Sequence, residues 1–272
     1  MRLRVLNRLN TENELRAGLG RGELLVEYQP LVRVADCKVV GAEALARWEH
    51  PERGLLGPGE FIEMAEESGL IVPLGAQVFD EACRQVSAWR KATGSGLPHS
   101  ISVNLSAEQL SDPGLVGMVR STLERHELST DAVDLELEIT ESALARDPEA
   151  VSATLAELKS LGLSLALDDF GTGHSSLTYL RQFPIDTLKI DRSFVMGMLD
   201  NAEDAAIVRS VVSLGHALNL SVVAEGVEQQ GQLDELRALG CDLAQGFLLG
   251  RPGAPSGLAG VRRVGAPEPA LA

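Results

Sequence analysis

No run of about 18 consecutive apolar residues occurs in this 272-residue chain, which excludes a hydrophobic membrane-spanning helix. The opening Met1-Arg2-Leu3-Arg4 has no apolar run behind it and does not read as a secretory signal. Cysteine is limited to Cys37, Cys83 and Cys241, with no C-x-x-C pair and no zinc spacing. A disulfide framework is thereby excluded, and the three thiols read as small buried residues of a reduced compartment. Histidine is also scarce, with five in all. Positive charge is in short supply, 24 Lys and Arg against 39 Asp and Glu, for a formal net charge of −15. That average field repels a DNA or RNA polymer. A small phosphate ligand stays open, because metals or placed arginines overrule the average locally. Between about residues 23 and 252 there is no linker and no short-period repeat.

What is present is an ordinary globular composition, 44% hydrophobic and 23% charged. The length suits one large domain, and a (β/α)₈ barrel takes roughly 250 residues. Residues 1–22 read as a lead-in helix or linker, with Thr11 and Glu14 as a capping box and Gly20 as its stop. Short apolar runs at 24–28, 39–46, 101–105, 135–139, 163–167, 187–190, 220–224 and 243–246 are strand candidates. Amphipathic segments lie between them. One covers about 58–93; another is opened by Asp147-Pro148 and closed by Gly162; a third is opened by Asp112-Pro113. Repeated strand–helix alternation means parallel strands with helical crossovers, and eight candidates favour a closed barrel over an open sheet. The stretch from about Gly253 reads as a frayed end, with 259–272 a flexible tail.

Almost every strand candidate ends in a polar residue: Glu43, Asn104, Glu138, Asp168 with Asp169, Lys189, Glu225 and Gln245. In a (β/α)₈ barrel the C-terminal strand ends meet on one face, so residues scattered along the chain converge on one mouth. Charges placed in apolar strands carry a burial penalty unless they are paired or metal-bound. Glu, Asp and Asn oxygens without histidine form a hard-oxygen set suited to Mg²⁺ or Mn²⁺ rather than Zn²⁺. Two such ions roughly 3.5–4 Å apart suit in-line attack on a phosphodiester. Glu136 shares the strand of Glu138 and reads as structural or surface. The Glu66-Glu67 pair reads as a solvated helix face, and Trp48 as packing near the mouth.

These residues carry a resemblance. From about Glu23 to Pro252 the chain resembles the EAL domain family of bacterial cyclic-di-GMP phosphodiesterases. The motifs stand in family order: Tyr28-Gln29-Pro30, Glu43-Ala44-Leu45 with Arg47-Trp48, Val103-Asn104-Leu105-Ser106, and Glu138-Ile139-Thr140-Glu141. Asp168-Asp169-Phe170-Gly171-Thr172-Gly173, Lys189-Ile190-Asp191, Glu225-Gly226-Val227-Glu228 and Gln245-Gly246 follow. Each string is weak alone; all of them in order are specific.

The resemblance implies an α/β fold, a modified TIM (β/α)₈ barrel over residues 23–258 whose first strand is antiparallel to the rest. It implies hydrolysis of cyclic-di-GMP to linear pGpG with two Mg²⁺ or Mn²⁺ ions, and inhibition by Ca²⁺. Glu43, Asn104, Glu138 and Asp168 would hold one ion; Asp168, Asp169 and Glu225 the other. Lys189 would hold the attacking water, with Lys189 or Glu225 taking its proton. Gln29, Arg47, Asp191 and Gln245 would face substrate. Glu141 and Glu228 would stand behind the ligands, Glu141 anchoring the loop 170–176. At 174 the family usually has Tyr and this chain has His174. The resemblance also implies a cytoplasmic domain, free or within a membrane-anchored parent, with no membrane contact of its own. A second copy and an upstream sensory or GGDEF domain are the expected partners. The alternative is a catalytically silent cyclic-di-GMP receptor. Such domains lose a metal ligand, and none of the motif ligands is missing here.

Overall fold

The strand–helix alternation closes, in a computed structural model, into a ring of eight strands. The structure describes residues 2–91, 98, 100–128, 135–171, 180 and 182–258, with side chains from residue 10 onward. The ring runs β1 (Leu24–Arg33), β2 (Lys38–His50), β4 (Ser100–Leu105), β5 (Leu135–Thr140), β6 (Ser164–Phe170), β7 (Thr187–Ile190), β8 (Ser221–Ala224) and β9 (Leu243–Ala244). A short β3 (Gly54–Leu56) adds to the outer end of β2. β1 is antiparallel to both its neighbours, β2 and β9, and the other neighbours in the ring are parallel. All eight strand candidates are barrel strands, and the expected reversal of the first holds.

Alternation along each strand sorts side chains between the barrel interior and the helical layer. Ile101, Val103, Leu135, Leu137, Leu165, Leu167, Leu188 and Val222 are buried in the main hydrophobic core. Against them packs α3 (Ile71–Lys91), through Leu74, Val78, Phe79, Ala82 and Val86 at helical spacing. The helix α7 (Pro148–Ser160) begins at Asp147, whose side chain accepts from Ala150 N, with proline in its first turn.

Several local expectations are corrected. The lead-in helix, α1, spans Arg2–Arg21, so Thr11 lies inside it and is no cap. Its stop is Gly22, with φ +76°, a conformation glycine alone adopts freely, and Gly20 is still helical. The single amphipathic stretch 58–93 is a 3₁₀ turn (Pro58–Glu60), α2 (Ile62–Glu67) and α3. Asp112 caps Gly114 N rather than opening a helix at Pro113, and α5 starts at Leu115 after the short α4 (Ala107–Leu110). Gly253 does not fray: its backbone exchanges two hydrogen bonds with Tyr28, and a last short helix (Pro255–Leu258) packs on β1. The tail 259–272 lies outside the described residues.

Candidate active site

The strand ends bring the predicted residues together at one mouth. Register places Gln29 beside Glu43, and Asn104 beside Glu138. Glu43 is fixed by two amides, Asn104 Nδ2 at 2.6 Å on Oε1 and Gln245 Nε2 at 2.6 Å on Oε2. Gln245 Nε2 also lies 3.0 Å from Gln29 Oε1, and Gln29 Nε2 donates to the Gly250 carbonyl at 3.2 Å. Lys189, 2% exposed, is the centre of the cluster: its Nζ lies 2.6 Å from Glu138, 2.6 Å from Glu225 and 3.4 Å from Asp168.

Two backbone devices aim these groups. β6 shifts register against β7 between Leu167 and Phe170, and Asp169 within the irregularity has φ +54°. An extra residue at that point turns the strand so that adjacent aspartates need not face opposite sides. The second device is a close approach. Val227 N donates to the Gln245 carbonyl at 3.0 Å, and a Cβ on Gly246 would stand 2.1 Å from the Val227 carbonyl oxygen. Only glycine lets the Glu225 and Gln245 loops meet this way.

Four carboxylates, Glu43, Glu138, Asp168 and Glu225, surround one ammonium, and the electrostatics record the excess. Burial, with Glu43 adding to it, drives the Glu138 carboxyl well above the ordinary range. Burial also lifts Glu225 to about 7, against the pull of Lys189. Asp169 is raised by burial and by Asp168 and Asp191. Glu43 is also pushed upward by burial, yet Lys189, Gln245, Asn104 and Glu138 together hold it below the ordinary value. Burial opposes the charge on Lys189, and the surrounding carboxylates outweigh it and keep the ammonium protonated well above the usual range.

The donor chemistry fits hard divalent cations: carboxylate and amide oxygens, buried, with uncompensated negative charge. Among the described residues no three His, Cys, Asp or Glu side chains are arranged to hold an ion as they stand. Glu138, Asp168 and Glu225 are paired with Lys189.

Other predicted residues lie further out. Asp191 caps the helix Arg192–Gly197, accepting from Ser193 N and Ser193 Oγ, and reaches the cluster through its effect on Asp169. Glu228 is not behind the ligands; it stands exposed on the rim, 4.0 Å from Arg192. Glu141 is buried at the start of α6 (Glu141–Leu144). Its expected loop partners Thr172 and Ser175 lie outside the described residues, as does His174. Arg47 is not in the cluster. Its Nε donates to Glu27 at 2.7 Å, and the side chain lines a 750 Å³ groove along the first residues of β1. None of the predicted metal ligands lines that groove.

Two other cavities do reach the ligands. One of 160 Å³ is lined by Gln29, Glu43, Asp168, Glu225, Gln245 and the exposed Phe247. One of 720 Å³ reaches Asn104 and Glu138 and extends past Leu45 and Ile62 to Glu66 and Arg146. Glu66 thus faces a cleft, where a solvated surface was expected. Phe247, with the Arg251 guanidinium 4.2 Å over its ring, was missed because a residue after a two-residue strand shows no periodicity. Glu136 was misread. Its parity with Glu138 puts it in the barrel interior, where Thr187 Oγ1 donates to it at 2.6 Å.

A barrel with a reversed first strand and an acidic mouth around a buried lysine defines the class. The EAL domain family model matches residues 12–252, and the chain belongs to that family. It is 46% identical over 252 residues to the bifunctional diguanylate cyclase/cyclic di-GMP phosphodiesterase MucR of Pseudomonas aeruginosa, covering 93% of this chain and 36% of MucR. It is 43% identical over 250 residues to the cyclic di-GMP phosphodiesterase NbdA of the same organism, covering 92% of this chain and 31% of NbdA. The chain thus spans about a third of these relatives. Among solved structures, the PaMucR phosphodiesterase in complex with c-di-GMP superposes with a TM-score of 0.85 at 47% identity, covering 90% of this chain and 98% of that one. The EAL enzyme Bd1971, bound to cAMP and cyclic-di-GMP, gives 0.87 at 32% identity, covering 94% and 69%.

Proposed function

We propose that this chain hydrolyses cyclic-di-GMP to linear pGpG with two Mg²⁺ or Mn²⁺ ions. The observation that carries this reading is the cluster itself: buried Glu43 and Glu138 and half-buried Asp168 and Glu225 around Lys189, in a chain 46% identical to MucR. Glu43, Asn104, Glu138 and Asp168 would hold one ion, and Asp168, Asp169 and Glu225 the other. Bound there, the ions would polarise the phosphodiester and make a coordinated water more acidic.

The chain's own groups do the rest. Gln29 and the amides of Asn104 and Gln245 hold Glu43 in one orientation. Lys189 would turn one of its ammonium protons from a carboxylate to the attacking water and so orient it. Glu225 lines the 160 Å³ cavity and would accept that water's proton. The 720 Å³ cavity that reaches Asn104 and Glu138 would have room for part of the cyclic dinucleotide, with a phosphate at the carboxylates. Arg47 would reach the substrate by exchanging its Glu27 bond for a phosphate. The domain works in the cytoplasm, alone or behind a sensory or GGDEF domain, with a second copy as partner. Among the described residues no helix is long and apolar enough to cross a membrane.

The test is turnover of cyclic-di-GMP with Mg²⁺ or Mn²⁺, read by separating cyclic and linear dinucleotides. Appearance of pGpG that stops in excess chelator supports the reading. Tight binding without turnover would instead mark a receptor, and turnover in chelator would remove the metals from the mechanism.

A further inference from the structure

Beneath the Glu138–Lys189 bond lies a second polar pair that the proposed reaction does not use. Thr187 Oγ1 donates to Glu136 Oε2 at 2.6 Å, the same separation as Lys189 Nζ to Glu138 Oε2. Each member stands two residues before its counterpart on the same strand, so both pairs project inward, one layer apart. β5 and β7 are not neighbours; β6 runs between them. Register sets Ala166 beside Glu138 on one side and beside Thr187 on the other. Glu136 itself stands beside Ser164, so along the lower pair β6 offers only the small side chains of Ser164 and Ala166, and side chains from β5 and β7 meet across them. Two rungs therefore cross the barrel, one stacked on the other. The lower one is anchored in turn. Asp186, next to Thr187, accepts from Lys159 Nζ at 2.7 Å and from Leu165 N at 2.8 Å, and its carbonyl accepts from Ser221 N at 2.9 Å.

A carboxylate is a costly filling for this depth. It adds negative charge beneath four carboxylates and one ammonium, where an apolar side chain of similar volume is often as stable or more so. The rung is explained by geometry. We infer that Glu136 is a positioning residue: bonded to Thr187, it sets the spacing of β5 and β7 at which Glu138 and Lys189 meet and face the mouth. The kinetic part of this inference rests on the phosphodiesterase reading; the metal-binding part does not.

The experiment compares Glu136→Leu, Glu136→Gln, Thr187→Val and the double variant Glu136→Leu/Thr187→Val. Three quantities are read: melting temperature in chelator, Mn²⁺ affinity by electron paramagnetic resonance, and kcat and KM for cyclic-di-GMP. Glu136→Leu should melt at or above wild type, bind Mn²⁺ roughly 10–100-fold more weakly, and lose kcat with KM little changed. Glu136→Gln keeps an acceptor for Thr187 and should restore both readouts to within a few-fold of wild type. Thr187→Val should match Glu136→Leu in Mn²⁺ affinity and kcat but melt lower, because it strands the Glu136 carboxyl. The double variant should be no worse than either in Mn²⁺ affinity and kcat, because the two act as one unit. Wild-type Mn²⁺ affinity in Glu136→Leu and Thr187→Val overturns the inference. So does a Glu136→Gln as defective as Glu136→Leu, or melting temperatures that fall in step with Mn²⁺ affinity across the set. If the wild type turns nothing over, the phosphodiesterase reading fails, and the positioning role is decided by the Mn²⁺ arm alone.

Discussion

Replacing Glu225 with glutamine should stabilise the metal-free barrel while abolishing turnover. Glu225 titrates near 7 in the fold, against 4.5 for an unperturbed glutamate, because burial outweighs the attraction of Lys189. A carboxyl whose folded pKa is raised binds its proton more tightly in the folded state. It imposes no penalty below pH 4.5, and a growing one as pH rises from 4.5 to 7. At pH 8 the full shift corresponds to roughly 3 kcal/mol. That figure already includes the Lys189 pair. Glutamine keeps the shape and an acceptor for Lys189 and removes the charge. With ~2–4 °C per kcal/mol for a domain of this size, melting in chelator at pH 8 should rise by up to roughly 10 °C. At pH 5 wild-type Glu225 is already protonated, and the difference should nearly vanish. Adding Mn²⁺ should shift the order toward the wild type, which can fill both proposed sites, whereas the variant keeps only the one that does not use Glu225. Circular dichroism melts of both proteins at the two pH values, with chelator and with Mn²⁺, test each step. A variant no more stable than wild type at pH 8, or equally favoured at pH 5, would refute the reasoning.

Other perturbations separate the groups around Lys189. Glu43→Ala and Asp168→Ala should each abolish hydrolysis. Glu43→Ala should also melt lower in chelator at neutral pH, because Glu43 is held below its ordinary pKa and its loss strands the amides of Asn104 and Gln245; thermal melts and turnover assays measure the two effects. Ca²⁺ should displace Mg²⁺ yet support little turnover, since it tolerates longer and looser oxygen coordination; activity against rising Ca²⁺ at fixed Mg²⁺ shows it as an inhibitor. Glu141→Ala should stay folded and lose on the order of a hundredfold in kcat through misaimed ligands, with excess Mg²⁺ restoring only part. Wild-type kcat in that variant would make Glu141 an ordinary buried acid.

Strand ends were the most legible feature of this chain. Apolar runs of four to eight residues interrupted by one charge can be read without structure, because burying that charge needs a reason. The eight barrel strands and the convergence of Glu43, Asn104, Glu138, Asp168, Lys189 and Glu225 follow from that. Direction and depth were less legible. Arg47 has the parity to face substrate, but it lies opposite Leu25 one strand away and takes the nearby Glu27. The bulge at Asp168-Asp169 shows no apolar signal, since its residues are polar on both sides of the irregularity. Glu136 was discounted for standing two residues from Glu138, although that same spacing makes it an interior residue. The alternation rule was available, but the expectation that interior positions are apolar overrode it. α1 extended beyond its capping signal because Arg2 to Asn10 contains no residue that breaks a helix.

The reversal of β1 decides from which side the chain enters the barrel. In an all-parallel barrel the first strand starts at the floor, far from the chemistry. Here Leu24 pairs with Trp48, at the upper end of β2, so the chain arrives at the rim and descends from it. α1 is accordingly docked beside the mouth. Glu23, two residues after the end of α1, accepts from Trp48 Nε1 at 3.1 Å, and Glu14 lies 3.3 Å from His50 Nε2. Both contacts fall on the strand that carries Glu43. A pull or twist applied to α1 would reach Glu43 through a single strand, with no relay across the barrel wall. In such a layout the entrance of the polypeptide and the entrance of the substrate share one doorway.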